Sequence, residues 1–313
     1  MALSAPPAKS NLPLESLNKQ DFLRRAVNQG ISVNFGIATF NLKSSVTSVL
    51  DTFYELYRHH PLLDNNGWSD FAIQITRPHN VRRYFYPQAI FKLEDQTPFL
   101  PLPFNQSYPL MEWGMNWCVA NYFHQYLLLH AAVLEKNGQA ILFPAPPGSG
   151  KSTLCSYLAH SGWRLLSDEM AVISLDTGNV HAFVRGICLK NNAIPLFKEW
   201  FPHAYVSPTA KDTSKGEVAH VRPPENAVVG MNETAQIKAI VFPRYHREVR
   251  FDTTPLNSLD CMQKVIDNAF NYNVLGKAGF KLLSTMMDTV SCYNLTYSDI
   301  EMADNFLSGM VND

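Results

Sequence analysis

Residues 145–152 read Ala145-Pro146-Pro147-Gly148-Ser149-Gly150-Lys151-Ser152, and Thr153 follows. The reading of this stretch decides the fold. Ahead of it, the apolar run Ala140-Ile141-Leu142-Phe143 predicts a short buried strand. Behind it, Ser152 to Gly162 predicts a helix, with Leu154, Leu158 and Ala159 at helical spacing and Gly162 as its stop. Strand, glycine-rich turn, Lys-Ser and helix in that order predict a phosphate-binding loop made of Pro147, Gly148, Ser149, Gly150, Lys151, Ser152 and Thr153. Gly148 and Gly150 let the backbone bend so that successive N–H groups face inward. Those donors and the helix N-terminus attract phosphate oxygens. Lys151 is placed to reach the β- and γ-phosphates of a nucleoside triphosphate, and the Ser152 hydroxyl to ligate Mg²⁺. Position 145 holds Ala where the usual pattern has Gly. The competing interpretation is a Gly/Pro surface turn ahead of an ordinary helix.

The rest of the chain sets the frame. Its 313 residues suffice for one large or two medium domains. Hydrophobic residues make up 46% and charged residues 17%, which is the composition of a soluble globular protein. A net charge of −1 gives no electrostatic case for nucleic acid or an anionic membrane as partner. The five cysteines are scattered and odd in number, so they read as small buried hydrophobes and not as a disulfide frame or zinc site. The first twenty residues lack the apolar run of a secretory signal, and no stretch reaches the length of a membrane span. The expectation is a cytoplasmic α/β protein.

Along the chain, 1–17 is Pro/Ser-rich and expected to be disordered. Helices are expected over 21–28, 44–57 and 111–123, strands over 31–42, 71–76 and 84–93, and irregular chain over the proline-rich 96–109. A boundary is expected near residue 125, giving an α/β N-terminal domain (1–125) and a second domain (126–313). In the second, 126–134 reads as one dense apolar strand, and Asn137-Gly138 turns it into the strand that feeds the loop. After the loop's helix come a strand over 163–166 and a hairpin over 171–184. Residues 204–226, rich in Ser, Thr, Lys and Pro, read as a long lid-like loop. A strand over 238–242, helices over 258–270 and 278–288, a strand over 293–297 and a helix capped by Ser298 or Asp299 close the chain.

Phosphoryl transfer needs metal ligation, a base for the nucleophile and positive charge for the transition state. Asp168 and Glu169 stand at the C-terminal end of the strand after the loop's helix, the edge where ligands bind in open α/β sheets. One carboxylate there suits Mg²⁺ and the other suits the proton of a substrate hydroxyl. Read without its context, the pair is an acidic turn. His130, in the strand that pairs with the one feeding the loop, is placed to face the γ-phosphate or to serve as a hydrogen-bonded core residue. Arg222 is a candidate for transition-state charge, with Lys211, Lys215 and Arg185 as further cations.

These residues carry a resemblance. Leu129-His130-Ala131-Ala132, the Gly-Ser-Gly-Lys-Ser loop, Trp163-Arg164-Leu165-Leu166-Ser167-Asp168-Glu169 and His220-Val221-Arg222-Pro223 resemble the HPr kinase/phosphorylase superfamily, and most closely its HPr kinase-related kinase A branch. The parent family has an Asp-Asp pair 17 and 18 positions after the loop lysine, and Asp168 and Glu169 keep that spacing from Lys151. Trp113 to Trp117 and Val241 to Tyr245 also look typical of the branch. The resemblance implies a P-loop kinase core of the HPr kinase/PEP carboxykinase-like type that uses ATP and Mg²⁺. Lys151 would hold phosphate, and Ser152, Asp168 and Glu169 would form the metal set. Asp168 would act as base, and His130 and Arg222 would contact the reacting group. The acceptor would be a hydroxyl on a peptide, protein or small molecule, with a homo-oligomer contact or substrate selection left to the N-terminal half. Two departures stand out. The family's metal-binding Glu-x-Arg-Gly is Phe183-Val184-Arg185-Gly186 here, and Pro147 replaces a loop serine. These put phosphorolysis, and HPr itself as substrate, in doubt. A nucleotide-sensing module without catalysis, or an ATPase, is the alternative.

Overall fold

Asn137 and Gly138 turn the chain at positive φ, +56° and +79°, the twist that a two-residue hairpin needs. They join the strands Ala131–Lys136 and Gln139–Pro144, paired antiparallel from Ala131↔Pro144 to Lys136↔Gln139. The hairpin lies inside a six-stranded sheet in the computed structural model, which describes residues 12–63, 68–78, 80 and 84–311. The strand order is Arg164–Ser167, Ala131–Lys136, Gln139–Pro144, Gln236–Tyr245, Ser291–Tyr297, Phe251–Pro255. Gln236–Tyr245 runs parallel to both of its neighbours, and the remaining pairings are antiparallel. Arg164–Ser167, Gln139–Pro144, Gln236–Tyr245 and Ser291–Tyr297 therefore point the same way. Their C-terminal ends meet at one edge, which holds the Gly-Ser-Gly loop, Asp168 and Tyr245.

A second six-stranded sheet fills the first half, in the order Leu62–Leu63, Ile31–Asn34, Thr39–Ser44, Phe71–Thr76, Gln88–Leu93, Leu102–Pro103. Only Thr39–Ser44 and Phe71–Thr76 pair in parallel. The helices Lys19–Asn28, Thr47–Tyr57 and Ser107–Tyr122 pack on this sheet through buried Phe22, Phe53 and Met111. Two small antiparallel sheets complete the chain. One joins Tyr126–Leu129, Ala171–Ser174 and Val180–His181; the other joins Ile187–Lys190, Gly216–Val221 and Ala210–Thr213. The class is mixed α/β. None of the described helices is long and apolar enough to cross a membrane.

Several expectations need correction. The apolar run 126–134 is two strands in different sheets, broken at His130, whose N–H bonds to the carbonyl of Asn268 at 2.7 Å. Both strands are buried on both faces, so no alternation marked the break. The supposed lid 204–226 contains the strands Ala210–Thr213 and Gly216–Val221, whose period is interrupted by a register shift and by Asp212 at φ +57°. Residues 31–42 fold into Ile31–Asn34 and the start of Thr39–Ser44, with Gly36 at φ +100° between them. The helix expected from 111 starts at Ser107, because Pro109 is tolerated in a first turn. Disorder over 1–11 concerns residues outside those described. In 12–17, however, Leu14–Ser16 forms a short 3₁₀ turn with Leu14 buried and its N–H on the His60 carbonyl.

Two hydrophobic clusters form, one in each half. The boundary expected near 125 falls between Ser107–Tyr122 and Tyr126–Leu129. Yet Leu128, Met170, Val172 and Phe183, all beyond it, pack into the cluster of the first half.

Candidate active site

The loop leaves Gln139–Pro144 and passes Gly148 at φ +86° and Gly150 at φ +89°, a backbone that side-chain-bearing residues rarely adopt. The helix Lys151–His160 begins at once, and the Gly150 carbonyl accepts its first bond from the Leu154 N–H. The neighbouring parallel strand fixes the loop from the side, since the Tyr245 N–H donates to the Ser149 carbonyl at 2.8 Å. A Cβ on Gly150 would meet the Tyr245 Cβ at 2.9 Å, so this close approach also demands glycine.

Lys151, though charged, is only 8% exposed. Burial lowers its pKa, against the pull of Asp168 and Glu169. Its Nζ lies 3.2 Å from His130 Nε2. Burial, reinforced by the Lys151 ammonium, pushes His130 down to about 4. The ring is thus neutral at pH 7, and Nε2 accepts from the ammonium. The break at residue 130 is what lets this side chain leave the sheet and meet the loop.

Asp168 and Glu169 follow Arg164–Ser167 and have opposite environments. Asp168 is buried; burial raises its pKa, with Lys151 opposing. Its Oδ2 accepts from the Cys188 N–H at 3.0 Å, while Oδ1 is buried without a partner. Burial also opposes ionisation of Glu169, but Arg185, Lys190, Lys151 and Lys215 outweigh it and hold the group down at about 2. Two adjacent carboxylates with pKa values pushed apart suit different tasks: one takes up a proton, the other stays anionic.

A cavity of about 550 Å³ collects these parts: His130, the loop from Pro146 to Thr153, Glu169, Lys190 and Lys215. The hydroxyl of Ser152 and the orphaned Asp168 Oδ1 are hard oxygen donors of the kind Mg²⁺ takes. Among the described residues no three His, Cys, Asp or Glu side chains converge as a protein-only metal cage. Mg²⁺ seldom uses such a cage, because it keeps waters and substrate phosphates as ligands.

Arg222 is not brought to this cavity. Its Nε donates to the Glu55 carbonyl at 2.6 Å, Nη2 meets Glu55 Oε2 at 3.1 Å, and the guanidinium stacks over Tyr205. It ties the end of Gly216–Val221 to Thr47–Tyr57 in the first half. Lys211 is an exposed surface cation near Glu217, and of the further cations Lys215 alone lines the cavity. Phe183 is fully buried and stacks on Phe40, with ring centroids 6.3 Å apart, so it is a core residue and no metal ligand.

Of the layer behind Glu169, sequence reasoning named only Arg185, as a further cation. Asn116, on Ser107–Tyr122, donates to Glu169 Oε2 at 2.5 Å. Arg185 donates to Asn116 Oδ1 at 2.5 Å and to Glu112 Oε2 at 2.8 Å. Glu112 Oε1 accepts from Tyr57 and Tyr108 at 2.5 and 2.6 Å. The signal was faint but present: Glu112 and Asn116 are four apart, hence on one face of an otherwise apolar helix. Lys190 also went unnoticed, as an ordinary strand-end lysine.

A family model described as SynChlorMet cassette protein ScmC matches residues 111–184. That span includes Glu112, Asn116, His130, Lys151, Asp168 and Glu169, and it ends before Arg185 and Lys190. No curated protein matches the chain.

Proposed function

We propose that this chain is an ATP-dependent, Mg²⁺-requiring kinase that transfers the γ-phosphoryl group to a hydroxyl. The observation that carries the reading is the convergence on one cavity of a positive-φ glycine loop, a buried lysine at a helix start and Glu169, with Asp168 buried next to it in sequence and its pKa pushed the other way. In this reading, loop N–H groups and Lys151 hold the donor phosphates, as the resemblance to the HPr kinase superfamily implies. Ser152, Asp168 and Glu169 would hold Mg²⁺, which would supply charge neutralisation on those phosphates. Asp168 accepts the hydroxyl proton as the acceptor oxygen attacks the γ-phosphorus, and the bond to the β–γ bridging oxygen breaks to release ADP. Neutral His130 positions the Lys151 ammonium. Catalysis of this kind is mostly positioning and electrostatics.

The test is transfer of label from γ-labelled ATP with Mg²⁺ into a metabolite and peptide extract, beside Lys151→Ala and Asp168→Asn. A labelled species that needs both residues supports the kinase. Loss of Lys151 should cost on the order of several kcal/mol of transition-state stabilisation; wild-type turnover in Lys151→Ala would sink the reading. Phe183 in place of a carboxylate favours one other reading, a nucleotide-sensing module. Tight ATP binding without transfer would select it, and free phosphate as the sole labelled product would select an ATPase.

A further inference from the structure

The cavity is more cationic than a phosphate loop requires. Lys151 belongs to the loop, but Lys190 and Lys215 stand on another wall, with Glu169 the lone carboxylate in the lining. These two lysines are 25 positions apart in sequence, and the backbone segments that carry them are joined through Asn191. Asn191, in the left-handed region at φ +51°, ends Ile187–Lys190 and reaches into the hairpin that carries Lys215. Its Oδ1 accepts from the Glu217 N–H at 3.0 Å, its Nδ2 donates to the Lys215 carbonyl at 3.4 Å, and its own N–H donates to the Glu217 carbonyl at 3.0 Å. Gly216, at φ +82°, leaves room for that amide, which would collide with a Cβ. The Lys215 ammonium rests over the Trp113 ring, 5.5 Å from its centroid, on the same helix that supplies Asn116. Among the described residues neither lysine has a carboxylate partner at ion-pair distance; both act electrostatically on Glu169.

A second cavity of about 700 Å³ flanks the loop and shares Pro146 to Ser149 with the first. Its lining includes Arg244, Tyr245, Lys264, Asp267 and Asn294, and neither Glu169 nor Lys190 belongs to it. A donor whose triphosphate crosses the shared loop residues has room there for its nucleoside. The Glu169 side is then left to the acceptor, and Lys190 and Lys215 line it.

We infer that the acceptor is anionic: a hydroxyl compound whose carboxylate or phosphate group is held by Lys190 and Lys215 while its hydroxyl lies against the carboxylate pair. This rests on the kinase reading above. Two ammonium groups lining one cavity attract an anion electrostatically. They also reject a neutral analogue, which would leave them without a counter-charge.

The test uses three compounds on one carbon skeleton: glycerol, glycerate and glycerol 3-phosphate. Each is titrated by calorimetry into the full chain saturated with Mg²⁺ and a non-hydrolysable ATP analogue, so that the γ-phosphate position is already filled. At least one anion should bind roughly tenfold or more tighter than glycerol, and Lys190→Met with Lys215→Met should abolish that preference. Which anion wins separates a carboxylate from a phosphate source. The Lys190→Arg, Lys215→Arg pair should retain the preference, which excludes misfolding as the cause. Equal binding of all three compounds, or a preference that survives the methionine pair, overturns the inference. So does a roughly tenfold weaker analogue affinity in the methionine pair, which would assign the lysines to the donor. If the wild-type chain fails to bind the analogue yet prefers the anions, the anion site stands and the kinase reading falls.

Discussion

Asn116 and Glu169 meet at 2.5 Å across 53 positions of chain, so a helix of the first half sets the orientation of a carboxylate in the second. Arg185 holds Asn116 in turn, and Glu112 holds Arg185. Asn116→Ala should leave the fold intact and lower transfer by roughly one to two orders of magnitude, as expected when a supporting hydrogen bond is lost. Nucleotide affinity measured without Mg²⁺ should be unchanged, while the Mg²⁺ requirement shifts to higher concentration. An unchanged Mg²⁺ profile would show that Asn116 does not position Glu169.

Glu112 answers a buried guanidinium and two buried tyrosine hydroxyls at once. Glu112→Ala should therefore cost about 3–5 kcal/mol in urea unfolding, the usual penalty for leaving a buried charge unpaired. Arg185→Met with Glu112→Leu removes both charges together and should recover part of that loss. Additive losses in the double variant would contradict the coupling.

Gly138 and Gly150 form a matched pair, with φ near +79° and +89°. A Cβ at Gly138 meets nothing within 4 Å, whereas one at Gly150 meets Tyr245. Gly138→Ala should cost about 1 kcal/mol of backbone strain. Gly150→Ala should cost about 1–3 kcal/mol more through overpacking and should also abolish nucleotide binding. Equal losses in thermal unfolding would remove the argument for close approach.

His60 is buried beside Phe35 and Tyr57, and its Nε2–H donates to the Val184 carbonyl at 2.9 Å. Burial lowers its pKa from 6.5 to about 4. Below 6.5 the unfolded chain binds this proton and the folded chain does not, so stability drops as pH falls from 6.5 toward 4. The contribution is on the order of 3 kcal/mol over that window. His130 is lowered to the same region and adds its own slope. His60→Gln should flatten the decline of unfolding free energy between pH 6.5 and 4 relative to the wild type; parallel curves would exclude His60 as a source.

The local signals read well where one physical cause dominated. The Gly-Ser-Gly turn, the Asn137-Gly138 hairpin, the strand Phe71–Thr76 and the Asp299 cap were legible because steric freedom, alternation or capping fixes each within a few residues. The cavity's membership was only partly legible. His130, Glu169 and Lys215 were named from the chain, but Arg222 was assigned to chemistry and turned out to face Glu55. Which way an arginine points at a strand end depends on the partner across the fold, and Glu55 is 167 positions away. Asn116 and Lys190 escaped for the same reason. An asparagine in an apolar helix and a lysine ending a strand gain meaning only when Glu169 and Asn191 arrive beside them.

Phe183, lodged in the first half's core with Leu128, Met170 and Val172, makes the two halves hard to part. A fragment beginning at residue 126 would carry the loop and both carboxylates, yet it would present these four apolar side chains to water and lack Asn116 and Glu112. Such a fragment would be sticky and poorly soluble. Moving the loop and its carboxylates into another protein would thus mean moving the whole chain, with the N-terminal half serving as a built-in partner for these four side chains.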